Sequence, residues 1–189
     1  MCHDWIADDK LFELLAAEDA RIAAAVKAAG CGPCGGRLDR ADYPRKPRGG
    51  AVGAAGERLD RRRSFCCCRE GCRLRATPPS LVFLGRRVYL GIVVLVETLR
   101  LAAGAAAVAA GPAGSQPART VRRWRAWFAA LRASTWWASI AGRVWPPLQP
   151  GEMLPEALVD RLAGGQRGGD ALVATLRLLS PLTTSTVTG

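Results

Sequence analysis

Two groups of cysteines have the residue types and spacing of a metal site. The first is Cys31-Gly32-Pro33-Cys34, followed by Gly35-Gly36; the second is Cys66-Cys67-Cys68-Arg69-Glu70-Gly71-Cys72. Two thiolates three residues apart can face one ion only if the chain between them makes a tight knuckle. Gly32, Pro33 and the glycines after Cys34 supply that turn. A closing pair from the second group gives four thiolates, which make a closed tetrahedral Zn²⁺ site with no open position for a catalytic water. Cys31, Cys34 and Cys72 are clear members, and the fourth is Cys66, Cys67 or Cys68. Cys67 is the choice, because it would share one face of an incoming strand with Phe65. The 32 residues between Cys34 and Cys67 exceed the roughly 15–20 usual for a two-knuckle site. An inserted loop, Arg48 to Gly56, accounts for the excess.

Two other cysteine chemistries compete. Cys-Gly-Pro-Cys also occurs as a thioredoxin-type redox tetrapeptide, which needs a hydrophobic strand before it and a long helix after it. Here an Ala-rich helical pattern, Ala23 to Ala29, precedes the motif, and Gly35-Gly36-Arg37 follows it and cannot start a stable helix. A disulfide framework fits an oxidising compartment. The N-terminal Met1-Cys2-His3-Asp4 shows neither a basic region nor an apolar run, so no secretory signal is read there, and the cytoplasm is the expected location.

The elements that must position these cysteines follow from hydrophobic periodicity. Residues 4–29 read as an amphipathic helix through Ile6, Leu11, Leu14, Leu15, Ile22 and Val26, with Gly30 as its stop. Residues 31–83 read as a zinc ribbon of three short strands: Leu38 to Tyr43, Arg61 to Cys67, and Arg73 to Thr77. Pro44 and Pro47 end the first, and Pro78-Pro79 breaks the chain after the last. Residues 84–143 read as helical. Val88, Ile92, Leu95, Leu99 and Ala102 form one face, Gly104 closes or kinks that helix, and Ala105 to Ala110 make a second, short one. Gly111-Pro112-Ala113-Gly114 must turn. Ser115 or Gln116 then caps a helix with Pro117 in its first turn, running to about Ala133. Val121, Trp124, Phe128 and Leu131 form its apolar face, and arginines fill the rest of its first turns. Residues 144–189 read as a tail with short helices at Pro155–Leu162 and Asp170–Leu179 and a disordered end from Pro181. The expected class is therefore α+β: a small zinc ribbon followed by a helix-turn-helix region.

Charge narrows the partner. Net charge is +11, and residues 76–143 carry nine bases against one acid, Glu97. Residues 31–75 carry twelve bases and five acids, whereas residues 1–30 carry three bases and six acids. A basic centre between non-basic ends points to a polyanion, most simply DNA. Arginine supplies 24 of the 27 basic residues and asparagine is absent, which reads as coding bias, so the asymmetry carries more weight than the arginine excess. The apolar stretch Val88 to Ala110 contains Glu97 and Arg100. Charges inside it argue for a buried helix and against a membrane span.

The ribbon, the runs Cys72-Arg-Leu-Arg-Ala-Thr-Pro-Pro-Ser80 and Phe83-Leu-Gly-Arg-Arg-Val-Tyr-Leu-Gly91, and Thr120-Val-Arg-Arg-Trp-Arg-Ala-Trp127 resemble proteins of bacterial mobile elements. The layout is similar to the N-terminal zinc-ribbon and helix-turn-helix part of insertion-sequence transposases, over roughly residues 30–135. The resemblance implies recognition of transposon-end or related DNA, with a transposase or recombinase as a protein partner and association with the nucleoid. It does not imply strand transfer. Only four acids follow Glu97, too few and too close to the end for a catalytic domain of three dispersed carboxylates.

The expected function is accordingly that of a non-enzymatic, zinc-stabilised DNA-binding protein. Phosphate contacts are assigned to Arg61, Arg62, Arg63, Arg73 and Arg75. Groove contacts are assigned to Gln116, Arg119, Thr120, Arg122 and Arg123. The alternative is a protein-interaction module in which the ribbon and Trp124, Trp127, Trp136, Trp137 and Trp145 dock a larger enzyme. A metal-dependent nuclease is disfavoured by a single histidine and unclustered carboxylates. Glu152, Glu156 and Asp160, four apart, read as a solvated helix face.

Overall fold

The structure, a computed structural model, describes residues 5–45, 59–84, 89–103, 116–164 and 168–184. The expected loop Arg48–Gly56, the second short helix Ala105–Ala110, Gly104, the Gly111–Gly114 turn, the Ser115 cap and His3 all lie outside the described residues. The chain divides into two compact units: Met1–Gly91 with Arg177–Gly189, and Ile92–Leu176.

In the first unit, helix α1 spans Asp9–Ala29. It starts five residues later than the periodicity suggests, because Asp8 is an N-cap: its Oδ1 accepts from Lys10 N at 3.0 Å and Leu11 N at 3.2 Å. The buried face is Leu11, Phe12, Leu15, Asp19 and Ala23, a run at i+4 spacing with an acid inside it. Leu14, expected on that face, is exposed. Five short strands follow: β1 Leu38–Arg40, β2 Tyr43–Pro44, β3 Arg61–Arg62, β4 Phe65–Cys67 and β5 Arg75–Ala76. They form an antiparallel three-stranded sheet in the order β1-β4-β5 and a separate β2-β3 pair. The two long strands expected from sequence are thus each broken in two, at Ala41-Asp42 and at Arg63-Ser64.

The register explains how the knuckles meet. Leu38 pairs with Cys67 and Arg40 with Phe65. The chain enters β1 just after the first knuckle and leaves β4 at Cys67, so the antiparallel pairing brings both knuckles to one end of the sheet. Leu38, Phe65 and Cys67 lie on the covered face with Ala23 and Cys31, and Val26, Cys34, Cys72 and Ala76 pack around them. Helix α1 therefore covers the core beside the small sheet and is not an independent segment.

A buried polar network ties the rest of this unit together. The Ser80 hydroxyl donates to Asp19 Oδ2, and Leu81 N donates to Asp19 Oδ1 at 2.6 Å. Phe83 N donates to Ser80 Oγ at 3.0 Å, and Ser80 N donates to Thr183 Oγ1 at 2.9 Å. Burial pushes the Asp19 carboxyl above its ordinary range, against the hydrogen bonds from Ser80 and Leu81. Thr183 belongs to a 3₁₀ turn, Ser180–Thr183, with Ser180 and Thr183 buried. This corrects the expected disorder from Pro181 onward: the tail's beginning is held by a backbone donor that a threonine hydroxyl satisfies.

In the second unit, helix α2 spans Gly91–Ala102, and residues Ile92 to Val96 are all buried. Glu97 is buried too and accepts from Arg100 at 2.8 Å, so the acid inside the apolar stretch is neutralised one turn away. Among the described residues no helix is long and apolar enough to cross a membrane. Helix α3, Ala118–Leu131, buries Val121, Trp124, Phe128 and Leu131 as the periodicity requires. Its N-cap is Pro117, with no side-chain cap; the expected placement of Pro117 inside the first turn is off by one position. Helices α4 (Thr135–Ile140), α5 (Glu156–Ala163) and α6 (Gly168–Leu179) complete the order. Of the acids read as a solvated face, Glu152 precedes α5 and pairs with Arg161 at 2.7 Å, and Glu156 faces Arg125 at 3.8 Å.

Candidate metal centre

The first knuckle is built by backbone bonds. Gly35 N donates to Cys31 O at 2.7 Å, and Cys31 N donates to Gly36 O at 2.9 Å. Closing so small a loop puts Gly35 at φ 64°, the left-handed region that glycine enters at little cost. The second knuckle hangs on Cys72 N to Arg69 O at 3.2 Å, and Arg73 follows it at φ 45°. A non-glycine residue there is strained. Cys68 N to Arg37 O at 3.0 Å and Arg69 Nη1 to Cys34 O at 3.0 Å lace one knuckle to the other.

Cys31, Cys34, Cys67 and Cys72 converge, with all four sulfurs within 4.8 Å of one another. Cys31 Sγ lies 3.6 Å from Cys72 Sγ, and Cys34 Sγ lies 3.4 Å from Cys67 Sγ. Four sulfurs at Zn–S distances of about 2.3 Å stand about 3.8 Å apart along a tetrahedron's edges. Both of these separations are slightly shorter than that value, and no pair exceeds 4.8 Å. Of the cysteine triplet, Cys67 points into the cluster. The Cys66 thiol instead donates to Arg73 O at 3.4 Å, on the opposite sheet face. The six described cysteines form no disulfide.

The surroundings suit thiolate ligands. Amide donors aim at the sulfurs. The Gly36 amide, followed by the Cys72 and Cys67 thiols, brings Cys34 down to about 7. An amide from Arg69 also pulls Cys67 down, but desolvation and the crowding of Cys34, Cys31 and Cys72 outweigh it and push that thiol up to about 12. Burial raises Cys31 despite the Cys34 amide. Four sulfurs this close need a cation to be anionic together. Gly36 completes the fit: a Cβ there would stand 2.9 Å from Cys67 Sγ and 3.2 Å from Cys34 Sγ. The space beside the sulfurs has room for glycine alone.

The residues assigned to DNA fall into three groups. Arg61, Arg73 and Arg75 are exposed and Arg63 is half-buried. Arg75 donates to Ala41 O and Ser64 Oγ, both at 3.2 Å, and stands 5.7 Å from the Tyr43 ring centre, which holds it in place. On α3, Arg119, Arg122 and Arg123 share one exposed face, and Gln116 is half-buried just before the helix. Two assignments are corrected. Arg62 is 2% exposed and donates to Pro78 O at 2.5 Å and Thr183 Oγ1 at 3.4 Å. Strand alternation turns it inward while Arg61 points out. Thr120 is buried beside Val121. Neither side chain reaches the surface. The tryptophan cluster divides as well: Trp124 and Trp137 are core residues, whereas Trp145 is 81% exposed.

Sequence reasoning missed the pairing of Asp19 with Ser80. The i+4 place of Asp19 among apolar residues was its only signal. It also missed Arg37 and Arg69, whose role is to join the knuckles. Comparison with protein-family models, curated proteins and solved structures found no match.

Proposed function

We propose that the four thiolates hold one structural Zn²⁺ and that the zinc ribbon and the arginine face of α3 bind DNA. The carrying observation is the four-sulfur cluster at tetrahedral separations. Closed on all four sides, it has no position for a substrate. Its work is to hold the short strands whose exposed side chains include Arg61, Arg73 and Arg75. No carboxylate among the described residues pairs with Arg73, Arg119, Arg122 or Arg123 at ion-pair distance, which leaves them available to phosphates. The helix-turn-helix reading of α3 rests on the glycine turn before it and the arginines of its first turns, and the role of accessory or end-recognition factor of a transposable element, beside a transposase or recombinase, rests on the sequence resemblance. The docking-module alternative loses support because Trp124 and Trp137 are in the core, leaving Trp145 as its main exposed ring.

Titration of the zinc-loaded chain with fluorescent duplex DNA over a range of salt tests the proposal. Affinity should fall with a log–log slope of about 0.9 per phosphate neutralised. Alanine at Arg119, Arg122 and Arg123 together should flatten that slope. Undetectable binding at low salt would refute it and favour the docking module.

A further inference from the structure

A cleft of about 210 Å³ opens in the first unit, its charged lining made by Asp19, Arg40, Asp42, Asp60, Arg61 and Arg63. Its charges sort into those already used and those still available. Asp19 is turned inward to Ser80 and Leu81. Asp42 accepts from Arg40 Nε at 2.6 Å and from Ser64 N at 3.0 Å. Arg40 spends its Nε–H on that pair, and burial of the Asp42 carboxyl is outweighed by the Ser64 amide and the charges of Arg40 and Arg63, which hold it below its ordinary range.

Two guanidinium groups remain. Arg61 spends one N–H on Asp42 O at 3.2 Å and keeps its others. Arg63 is half-buried and makes no hydrogen bond among the described residues. A guanidinium has five donors in a planar fork, and partial burial without an acceptor is costly. The carboxylate left on the rim is that of Asp60, which is exposed and has no ion pair among the described residues. Arg61 and Arg63, alternate residues across the end of β3, therefore flank the cleft with hydrogen-bond donors still available, beside Asp42, which Arg63 faces through charge alone, and the unpaired Asp60.

We infer that this cleft is a phosphate-binding subsite in which Arg63 and Arg61 grip one phosphate group and Asp60 weakens the grip. It rests on the DNA-binding reading only for the source of the phosphate, which is either a free phosphate or a phosphate of a bound strand. Asp60 gives the inference a two-signed signature that a general basic surface lacks. Arg63→Gln removes the donors. Asp60→Asn removes the repulsion.

The test uses the full zinc-loaded chain, with zinc content and circular dichroism to verify that each variant folds. Inorganic phosphate is titrated by calorimetry, and duplex DNA with and without 5′-phosphates by anisotropy. Arg63→Gln should weaken inorganic phosphate by about tenfold, the scale of one charge-assisted hydrogen bond. Asp60→Asn should tighten it. The same variants should shift duplex affinity where a strand supplies the phosphate, and a difference confined to 5′-phosphorylated ends would locate it at a terminus. Phosphate affinity unchanged by both substitutions in folded protein overturns the subsite, even if the duplex still binds through α3. Arginine-dependent phosphate binding without duplex binding keeps the subsite and refutes the DNA reading instead.

Discussion

Replacing Gly36 with alanine puts the four-sulfur geometry at risk without touching a ligand. Gly36 lies outside the left-handed region, so alanine meets no backbone objection. The difficulty is space. The new Cβ would stand 2.9 Å from Cys67 Sγ, 3.2 Å from Cys34 Sγ and 3.4 Å from Arg69 Cβ. Comfortable non-bonded separations are about 3.5–4.0 Å, so the contact with Cys67 Sγ overlaps by roughly 0.6–1.1 Å and that with Cys34 Sγ by roughly 0.3–0.8 Å. Neither sulfur is the end of a flexible chain once it is tied to a metal. Overpacking of this kind costs about 1–3 kcal/mol. The cost falls mainly on the metal-bound state, because unbound thiols can turn away. At 1.4 kcal/mol per decade, zinc affinity should drop about 5- to 150-fold. Gly32 in the same knuckle is the control: a Cβ there meets nothing within 4 Å, and Gly32→Ala should hold zinc as the parent does. Competition with a chromophoric zinc chelator measures all three proteins. Equal affinity for Gly36→Ala, Gly32→Ala and the parent would refute the assigned geometry.

Three further expectations follow from burial. Cys67→Ser should lose zinc while Cys66→Ser and Cys68→Ser keep it, as metal analysis of the purified variants will show; loss from Cys66→Ser would shift the strand by one residue and exchange its faces. Trp124→Ala should lower unfolding free energy by ~3–5 kcal/mol in urea titration, because the ring is 2% exposed; an unchanged midpoint would remove α3 from the core. Arg62→Ala should cost about 2–5 kcal/mol, by leaving the buried Pro78 carbonyl unpaired and opening a cavity. It should leave the salt dependence of DNA binding as it was; a flatter slope would return Arg62 to the surface.

The four-cysteine cluster was legible in the sequence because cysteine spacing, knuckle glycines and strand alternation are all local. Phe65 and Cys67 share a face for the same reason that Arg62, between Arg61 and Arg63, turns inward. The same alternation that puts Cys67 inside puts Arg62 inside, although its charge alone points to the surface. Local patterns also gave the apolar face of α3. What escaped was set by partners distant in the chain. Asp19 and Ser80 are 61 residues apart, and Arg62 and Thr183 are 121 apart. No spacing rule joins such residues. The strand breaks were hidden for a related reason, since Asp42 accepts the backbone N–H of Ser64 and so shapes the break in the neighbouring strand.

The DNA-binding reading depends on a ribbon held together by metal. Elemental analysis of purified, folded chain measures that directly. One zinc per chain, lost together with the ribbon's folded structure on strong chelation, is the predicted result, because binding and folding share one free energy in such sites. Folded protein that contains no zinc and binds none when it is supplied would contradict it.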